Sequence, residues 1–287
     1  MPNKTISVRI DGELVTAHEG DTILEAARAN GKQIPTLCYL KGLSSVGACR
    51  VCMVELDGSR TLVPSCSRKA EQGMVVHTDT ERVRTNRRMV LEFLGSTTDL
   101  SAAPNVERWN ADYGVDVQRY GTERRTWQQP VKRDNALYVR DYEKCMLCYK
   151  CVEACGTDAQ NTFAIAVAGR GFDARIATEF AAPLPDSACV YCGNCVGVCP
   201  TGALMFKAES DVRDAGKWDE SKQTVTDTIC SYCGVGCTLT LRVQDNKIVR
   251  VTSPSDASVT GGHLCVKGRF GWGFVEGDGS DSPEKKP

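Results

Sequence analysis

The sequence predicts a modular α+β protein in which several small domains each surround a group of cysteines. The 287 residues contain 16 cysteines, which fall into four groups of four with none left over. Two of these groups repeat the same spacing 44 residues apart, and short alternating or helical segments separate the groups. A chain of this length suits two or three small domains better than one large core.

Composition and charge exclude several classes of protein. Lysine and arginine total 35 against 36 aspartate and glutamate, so no positive field is available to recruit nucleic acid. The first 20 residues are polar and alternating, unlike a signal peptide, and the longest apolar stretch, residues 163–168, is too short to span a bilayer. We therefore expect no nucleic-acid partner, no membrane span and a cytoplasmic location. Thiols stay reduced there, and clustered cysteines indicate metal rather than disulfides.

The first predicted domain covers residues 1–79. Alternating apolar residues and flanking turn residues predict strands at residues 6–10, 14–17, 53–56 and 61–63. Asp21 is predicted to cap a short helix that ends near Gly31, and a loop with three cysteines follows that helix. Strands, one helix and a cysteine-containing loop in this order favour a β-grasp ferredoxin domain.

Residues 80–141 form a predicted helical connector without cysteine or histidine. Apolar residues recur at helical spacing, at Val83, Met89, Val90, Phe93 and Leu94. The arginines between them are predicted to be the solvated face of this helix, at Arg82, Arg84, Arg87 and Arg88. Docking of an acidic partner is the alternative for these arginines.

Three further segments complete the predicted organisation. Residues 142–210 hold the two cysteine repeats, and such an internal repeat is typical of a two-cluster [4Fe–4S] ferredoxin domain. Residues 211–276 form a small β-rich domain, with strands predicted at 238–243 and 248–251 around a polar turn. Residues 277–287 are predicted to be a disordered tail because they are small and charged.

Four cysteines per group are what an iron–sulfur cluster requires, so the count predicts four clusters. The groups are Cys38, Cys49, Cys52 and Cys66; Cys145, Cys148, Cys151 and Cys155; Cys189, Cys192, Cys195 and Cys199; and Cys230, Cys233, Cys237 and Cys265. We call them the first to fourth quartets. The count leaves the type of the first and fourth clusters open, because [2Fe–2S] and [4Fe–4S] clusters both use four cysteine ligands.

The two repeats predict crossed ligation. Three cysteines at two-residue intervals fit three corners of one cubane, and the last cysteine of each run ligates the other cluster. One cluster is thus assigned to Cys145, Cys148, Cys151 and Cys199. Its neighbour is assigned to Cys189, Cys192, Cys195 and Cys155. Zinc more typically uses separated pairs of cysteines, and it stays a competitor mainly for the fourth quartet.

The first domain resembles a known family through IPTLCY at residues 34–39 and GACRVCMVE at residues 47–55. Both are similar to the [2Fe–2S] domain at the N-terminus of the large peripheral-arm subunit of NADH–quinone oxidoreductase. The same domain occurs in NAD-linked hydrogenases and NAD-linked formate dehydrogenases. Members usually carry a further cluster, held by one histidine and three cysteines, just after this domain; residues 80–144 contain neither residue type.

The fourth quartet resembles a second family through SYCGVGC at residues 231–237 and GHLCVKGRF at residues 262–270. Both are similar to the N-terminal cluster domain of molybdenum or tungsten bis-pterin oxidoreductases, formate dehydrogenases above all. The resemblance implies that Lys267 lies between the cluster and a pterin; an ordinary surface lysine is the alternative. The chain stops soon after Arg269, where formate dehydrogenases continue into the pterin domain, so we expect no substrate pocket here.

These resemblances imply an electron-relay subunit without a catalytic site of its own. The cofactors that they imply are one [2Fe–2S] cluster in the first domain and three [4Fe–4S] clusters in the rest. One expected partner is a flavin- and NAD(P)-binding diaphorase subunit, and the other is a molybdenum- or tungsten-pterin formate dehydrogenase subunit. The alternatives are a relay of an NAD-linked [NiFe] hydrogenase, a non-catalytic zinc-binding scaffold, or a truncated form of a longer formate dehydrogenase. No dinucleotide or P-loop motif is present. His18 and His77 are predicted to be surface residues, whereas His263 could tune or ligate the fourth cluster.

Overall fold

The computed structural model describes residues 4–121, 129–255 and 259–276. The chain divides into two compact units. Unit 1 contains the described residues of Met1–Trp127, Glu143–Tyr149 and Gly171–Asp173; unit 2 contains those of Gln128–Tyr142, Lys150–Arg170 and Ala174–Pro287. The predicted tail, residues 277–287, lies outside the described residues.

Unit 1 is built on a five-stranded sheet. Its strands are β1 (Thr5–Ile10), β2 (Glu13–His18), β3 (Met53–Leu56), β4 (Val63–Pro64) and β5 (Val75–His77). They lie in the order β2-β1-β5-β3-β4; β1 and β5 are parallel and the other pairs are antiparallel. Helix α1 (Ile23–Ala29) buries its apolar residues in the same core as Val8, Ile10 and Val76. The first three predicted strands are confirmed. The fourth is displaced, because β4 shares only Val63 with the prediction, and β5 has no counterpart among the predicted strands.

The cap of helix α1 differs from the prediction by one residue. Thr22 is the N-cap, and its hydroxyl accepts a hydrogen bond from the Glu25 N–H at 3.2 Å. In return, the Glu25 carboxylate accepts the Thr22 N–H at 2.7 Å, which completes a capping box. Asp21 instead accepts the N–H of His18. The prediction of Asp21 as the cap is wrong because the threonine–glutamate pair satisfies two free N–H groups at once.

Two helices cover the cysteine loop of unit 1. They are α2 (Glu81–Thr97) and α3 (Val106–Tyr113). The buried face of α2 includes Val83, Arg87 and Leu91, whereas Met89 and Phe93 of the predicted apolar stripe are 38% and 50% exposed. The helix is confirmed, and so is most of the predicted apolar face, because Val83 is buried and Val90 and Leu94 pack against a buried cluster.

Arg87 is the clearest departure from the sequence-based expectation. Its side chain is buried, and its guanidinium donates to the carbonyl oxygens of Val51 and Met53, both at 3.3 Å, and to the Tyr113 hydroxyl at 3.1 Å. The two carbonyls flank Cys52, so Arg87 fixes the backbone around a predicted ligand. The prediction that all four arginines of this helix face solvent is therefore wrong for Arg87.

We predict that Arg87→Ala destabilises unit 1 by about 2–3 kcal/mol, because a buried charged donor and its hydrogen bonds are lost together. Thermal unfolding followed by circular dichroism measures the effect. The matched control is Arg108→Ala, since Arg108 is an exposed arginine of α3. Equal unfolding midpoints for the two variants would contradict this role of Arg87.

The first part of unit 2 contains the third quartet and the last two cysteines of the second quartet, Cys151 and Cys155. Strand β6 (Tyr138–Arg140) pairs with β9 (Leu204–Phe206), and β7 (Ala166–Ala168) pairs with β8 (Arg175–Ala177), both antiparallel. The helices are α4 (Lys150–Cys155), α5 (Asn194–Gly197) and α6 (Lys207–Asp214). Strand β6 lies within residues 80–141, which the sequence assigned to the connector, yet it pairs with a strand that follows the second repeat.

The C-terminal part of unit 2 is a three-stranded antiparallel sheet, in the order β10-β11-β12. Its strands are β10 (Thr224–Ile229), β11 (Thr238–Gln244) and β12 (Lys247–Thr252), and helices α7 (Val266–Phe270) and α8 (Gly273–Glu276) follow. Asp245 and Asn246, with φ of 50° and 60°, form the turn between β11 and β12. Both strands predicted here are confirmed.

Two buried polar residues connect the parts of unit 2. Glu209 on α6 binds Arg250 of β12 at 2.5 Å and Arg213 at 2.9 Å. Arg269 of α7 donates to the carbonyl oxygen of Val251 at 3.2 Å and to that of Cys192, in the second repeat, at 3.1 Å. These bonds join the repeat segment to the three-stranded sheet.

Glycines of the second repeat make room for Arg269. A Cβ atom on Gly197 would lie 2.7 Å from Nη1 of Arg269, which is far below van der Waals contact. A Cβ atom on Gly193 would overlap the Cδ of the same side chain. The arginine therefore occupies space that only a residue without a side chain leaves open.

Short 3₁₀ segments occupy parts of the connecting loops, at Tyr142–Lys144, Gly171–Asp173, Glu179–Ala181, Leu184–Asp186 and Glu220–Lys222. No helix within the described residues has the length and apolar character that crossing a membrane requires.

We predict that Gly197→Ala destabilises unit 2 by about 1–3 kcal/mol, because the added methyl group displaces a hydrogen-bonded guanidinium. Gly273→Ala is the matched control, since a Cβ on Gly273 would meet no atom within 4 Å. Alanine there should leave the unfolding midpoint unchanged or slightly raised. An unchanged unfolding midpoint for Gly197→Ala would contradict the prediction, because it would mean that Arg269 shifts without a loss of stability.

Candidate iron–sulfur sites

The first quartet lies in the core of unit 1. Its four cysteines are between 1% and 6% exposed. Their thiols form a row of hydrogen bonds, in which Cys49 contacts Cys38, Cys38 contacts Cys66, and Cys66 contacts Cys52. The fold thus brings Cys66 to the three cysteines of the loop, which are Cys38, Cys49 and Cys52.

Hydrogen bonds and burial shift the pKa values of cysteines in the first quartet. The hydrogen bond with Cys38, together with burial, raises the pKa of Cys49, whereas the hydrogen bond from Cys66 lowers the pKa of Cys52. The backbone N–H of Cys49 also points at Sγ of Cys38, at 3.5 Å. Such N–H···S bonds stabilise thiolate, the form that binds metal.

Cys148 of the second quartet packs against the first quartet. One buried cluster of unit 1 contains Cys148, Cys38 and Cys49 together with Leu37 and Val51. Met146, which follows Cys145, is partly buried against the same cluster. The start of the first repeat is therefore a direct neighbour of the cysteine loop in the first domain.

The members of the second quartet fall in both units. Cys145 and Cys148 belong to unit 1, while Cys151 and Cys155 belong to unit 2, as does Cys199 of the third quartet. Sγ of Cys199 lies 3.9 Å from the Thr201 hydroxyl. The ligand set of Cys145, Cys148, Cys151 and Cys199 stays a prediction.

Cys155 lies with the third quartet in unit 2. Burial raises the pKa of Cys195, and the negative charges of Cys192, Cys189 and Cys155 raise it further. The pKa of Cys192 is raised first by burial and also by Cys155 and Cys189. Electrostatic coupling of this kind requires the four thiols to be close, so the structure groups the last cysteine of the first repeat with the first three of the second.

Hydrogen-bond donors surround this group. The Ala164 N–H donates to Sγ of Cys155 at 3.2 Å, and the Tyr191 N–H donates to Sγ of Cys189 at 3.4 Å. The Tyr138 hydroxyl lies 3.4 Å from Sγ of Cys189. Burial raises the pKa of Tyr138, so its hydroxyl stays protonated and can donate to a thiolate.

The 44-residue repeat is also visible in the backbone. Leu147 and Tyr191, which are 44 residues apart, have φ of 53° and 57°. Tyr149 and Gly193, at the same separation, have φ of 67° and 70°. A left-handed conformation costs a non-glycine residue on the order of 1–3 kcal/mol, so its recurrence indicates that the cysteine loops need this geometry. Alternating right- and left-handed residues direct successive N–H groups towards an anion.

The fourth quartet lies at the surface of unit 2. Cys230 is buried beside Leu239, Leu264 and Trp272, whereas Cys233 and Cys265 are exposed. Burial raises the pKa of Cys237, and nearby Cys230 and Cys233 raise it further, so these three thiols are grouped. A Cβ atom added to Gly268 would lie 3.7 Å from Sγ of Cys230, so helix α7, whose N-cap is Cys265, lies beside the buried cysteine of this quartet.

Lys267 and the histidines occupy different environments. Lys267 is exposed on α7, two residues after Cys265. His18 is exposed, and His77 binds Asp57 at 2.8 Å with its side chain 38% exposed. Burial lowers the pKa of His263, and its Nδ1 has no hydrogen-bond partner among the described residues. The structure thus gives Lys267 solvent access and leaves His263 half-buried.

Sequence reasoning missed Arg269 and Asn194 as residues of the site. Arg269 is 2% exposed and donates to Asn194 Oδ1 at 2.9 Å. Asn194 Oδ1 also accepts the Leu264 N–H, next to Cys265, at 3.0 Å. The sequence did contain one indication of this role, because the two repeats differ in residue type at the positions that contact Arg269.

The donor sets fit iron–sulfur clusters. Each predicted set offers four cysteine sulfur atoms, and the first and third receive backbone N–H bonds of the kind that surround cluster thiolates. Within the described residues, no group of three or more histidine, cysteine, aspartate or glutamate side chains is spaced to hold a single metal ion.

Models of three protein families match the chain. Residues 3–81 match a 2Fe-2S iron-sulfur cluster binding domain, and this segment contains the first quartet. Residues 138–160 and 185–205 match a 4Fe-4S binding domain, and they contain the second and third quartets. Residues 223–277 match a molybdopterin oxidoreductase Fe4S4 domain and contain the fourth. All 16 cysteines therefore fall inside an iron–sulfur domain of a known type.

Several curated proteins are similar to almost the whole chain. An NADH-quinone oxidoreductase protein of Rhizobium meliloti (strain 1021) is 34% identical over 279 residues, which is 94% of this chain and 32% of the relative. The NADPH-Fe(3+) oxidoreductase subunit alpha of Geobacter sulfurreducens is 35% identical over 280 residues, 94% of this chain and 31% of the relative. The chain thus spans about a third of the length of these relatives.

A hydrogenase subunit and a solved structure extend the comparison. The NADP-reducing hydrogenase subunit HndD of Solidesulfovibrio fructosivorans is 37% identical over 210 residues, 70% of this chain and 36% of the relative. A crystal structure of NAD+-reducing [NiFe]-hydrogenase in the H2-reduced state matches with a TM-score of 0.63 and 27% identity, over 71% of this chain and 88% of that chain. The chain is therefore similar to these oxidoreductase subunits, and it carries segments that match [2Fe–2S] and [4Fe–4S] domains.

Proposed function

We propose that this chain is an iron–sulfur relay between a flavin- and NAD(P)-binding diaphorase subunit and a molybdenum- or tungsten-pterin formate dehydrogenase subunit. The observation that carries the proposal is that the quartets are neighbours within each unit. Cys148 packs with Cys38 and Cys49 in unit 1, and Arg269 connects the third quartet with the fourth in unit 2. Neighbouring redox sites are what an electron relay needs.

The proposed cofactors are one [2Fe–2S] cluster at the first quartet and three [4Fe–4S] clusters at the other sites. When bound, such clusters supply one-electron redox chemistry. The chain would contribute the burial and the N–H···S bonds that tune each site. The 2Fe-2S model at residues 3–81 and the two kinds of [4Fe–4S] model support this division.

Exposure supports a partner subunit at the fourth quartet. Cys233 and Cys265 are exposed, as are the side chains of Val235 and Phe274 nearby in sequence. A redox site at the surface can exchange electrons with another subunit without a further relay. We assign the pterin-containing subunit to this end and give Lys267, beside Cys265, the role of the residue between cluster and pterin.

The relatives support a formate dehydrogenase at that end. Residues 223–277 match the molybdopterin oxidoreductase Fe4S4 domain. A putative formate dehydrogenase of Staphylococcus haemolyticus is 25% identical over 311 aligned positions, 94% of this chain and 31% of the relative. A diaphorase partner is supported by the relatives, which include NADH- and NADPH-linked oxidoreductase subunits, and we assign it to the [2Fe–2S] domain that contains the first quartet.

A relay of an NAD-linked [NiFe] hydrogenase is the second candidate. It is favoured by the solved NAD+-reducing [NiFe]-hydrogenase, in which the matched region covers 88% of that chain. The two candidates differ in the metal of the catalytic subunit, since one requires molybdenum or tungsten and the other requires nickel. They do not differ in the iron–sulfur content of the segments that they share.

The deciding experiment is anaerobic purification of the native assembly, followed by elemental analysis and mass spectrometry of its subunits. We expect about 14 iron atoms per chain, with matching acid-labile sulfide, from one [2Fe–2S] and three [4Fe–4S] clusters. Molybdenum or tungsten with a co-purifying pterin subunit would support the formate dehydrogenase relay. Nickel would favour the hydrogenase relay, and zinc without sulfide would overturn both.

The crossed ligand sets are tested by a reciprocal pair of variants. We predict that Cys155→Ser removes the electron paramagnetic resonance signal of the cluster at Cys189, Cys192 and Cys195, because Cys155 is grouped with these thiols. Cys199→Ser should instead damage the cluster of Cys145, Cys148 and Cys151. The two substitutions are chemically identical, so each is the control for the other, and loss of only its own repeat's signal in each variant would refute crossed ligation.

A further inference from the structure

We propose that Arg269 is a positioning residue whose buried positive charge raises the reduction potentials of the iron–sulfur sites at the third and fourth quartets. This inference rests on the proposed function, because it takes both quartets as cluster ligands. The role differs from that of Lys267, because the sequence motif places Lys267 between the fourth cluster and a pterin. Four features of Arg269 support the role: its contacts, its burial, the neutral acceptors of its guanidinium and a difference between the two repeats.

The contacts place Arg269 between the two quartets. Its Nε donates to the carbonyl oxygen of Cys192, in the third quartet, at 3.1 Å. Its backbone N–H donates to the carbonyl oxygen of Cys265, in the fourth quartet, at 3.1 Å. Asn194 Oδ1 accepts both Nη2 of Arg269 and the N–H of Leu264, so one amide oxygen joins the arginine to the residue before Cys265.

Burial makes the charge of Arg269 effective. The side chain is 2% exposed, and a charge in a low-dielectric interior acts more strongly on its neighbours than one in water. By contrast, Lys267 is exposed, so water screens its charge. Of the two cations next to Cys265, Arg269 is therefore the one that can shift a neighbouring redox site.

The acceptors of the Arg269 guanidinium are neutral. They are the carbonyl oxygens of Cys192 and Val251 and the amide oxygen of Asn194. Burial lowers the pKa of Arg269 to about 10, and the negative charges of Cys192, Cys195 and Cys265 oppose that shift. The guanidinium thus lies beside the third quartet with its charge unneutralised by these acceptors, so a cluster there would feel that charge.

The second repeat is shaped to hold this arginine. Gly193, Asn194 and Gly197 contact Arg269, or would clash with it if they carried a Cβ. The equivalent residues of the first repeat, 44 positions earlier, are Tyr149, Lys150 and Glu153. The two copies thus share their ligand spacing but differ in residue type at the three positions that surround the guanidinium of Arg269 in the second copy.

The electrostatic consequence has a definite sign. Reduction adds one electron to a site and leaves it one charge more negative. A fixed positive charge stabilises that reduced form more than the oxidised form, so removal of the charge lowers the potential. Local charge and hydrogen bonding are among the factors that set cluster potentials over a very wide range.

The test is an anaerobic redox titration of the full chain with its clusters, followed by electron paramagnetic resonance. The signals of the third and fourth sites are identified as those lost in Cys192→Ser and in Cys237→Ser. At a fixed applied potential we expect Arg269→Gln to lower the reduced-to-oxidised ratio of both signals about tenfold. For a one-electron couple that change corresponds to about 59 mV.

Two further variants separate charge from packing. Arg269→Lys keeps the charge but loses the planar set of donors, so it should unfold at a lower temperature with ratios near those of the wild type. Arg250→Gln is the matched control, because Arg250 is a half-buried arginine of the same unit that binds Glu209 instead. It should lower stability without moving either signal.

The outcomes distinguish this inference from the proposed function. A wild-type chain without iron and sulfide would overturn both. Clusters with unchanged ratios in Arg269→Gln, alongside reduced stability, would leave the relay intact and refute the charge role of Arg269. If Arg269→Gln does not assemble, Arg269→Met carries the test, because methionine fills part of the same buried space without a charge and should lower the ratios in the same direction.

Discussion

The structure depends on the need to hold several negatively charged sulfur sites inside small domains. Thiolate is the form of cysteine that binds metal, and burying it is costly unless donors or positive charge lie nearby. The first and third quartets receive N–H groups of their own loops, as with Cys49 to Cys38 and Tyr191 to Cys189. Left-handed residues such as Leu147 and Tyr191 carry a conformational cost that this arrangement offsets.

Buried arginines are the second means of holding these sites. Arg87 binds the carbonyl oxygens on either side of Cys52, and Arg269 binds the carbonyl oxygen of Cys192. Each comes from a helix that follows the cysteine loop in sequence, and each is 2% exposed. In both units, a helix thus fixes a cysteine loop through its backbone and places a positive charge behind it.

Within each unit, the quartets that are neighbours could pass electrons to one another, as the proposed relay requires. In unit 1 the first quartet shares a buried cluster with Cys148, and in unit 2 the third quartet is joined to the fourth through Arg269. The boundary between the units cuts the first repeat, because Tyr149 belongs to unit 1 and Lys150 to unit 2. The exposed thiols of the fourth quartet then make that end suitable for a partner subunit.

The sequence by itself determined the four quartets, the 44-residue repeat and about half of the strands, because ligand spacing and period-two alternation are local properties. Only the tertiary structure decided which quartets are neighbours and where Arg87 and Arg269 lie. A charged residue in a helix is read as solvated unless its partners are known, and the partners of these arginines are 18 to 77 residues away. Burial of a charge is a long-range property, since it depends on acceptors that the fold brings from distant parts of the chain.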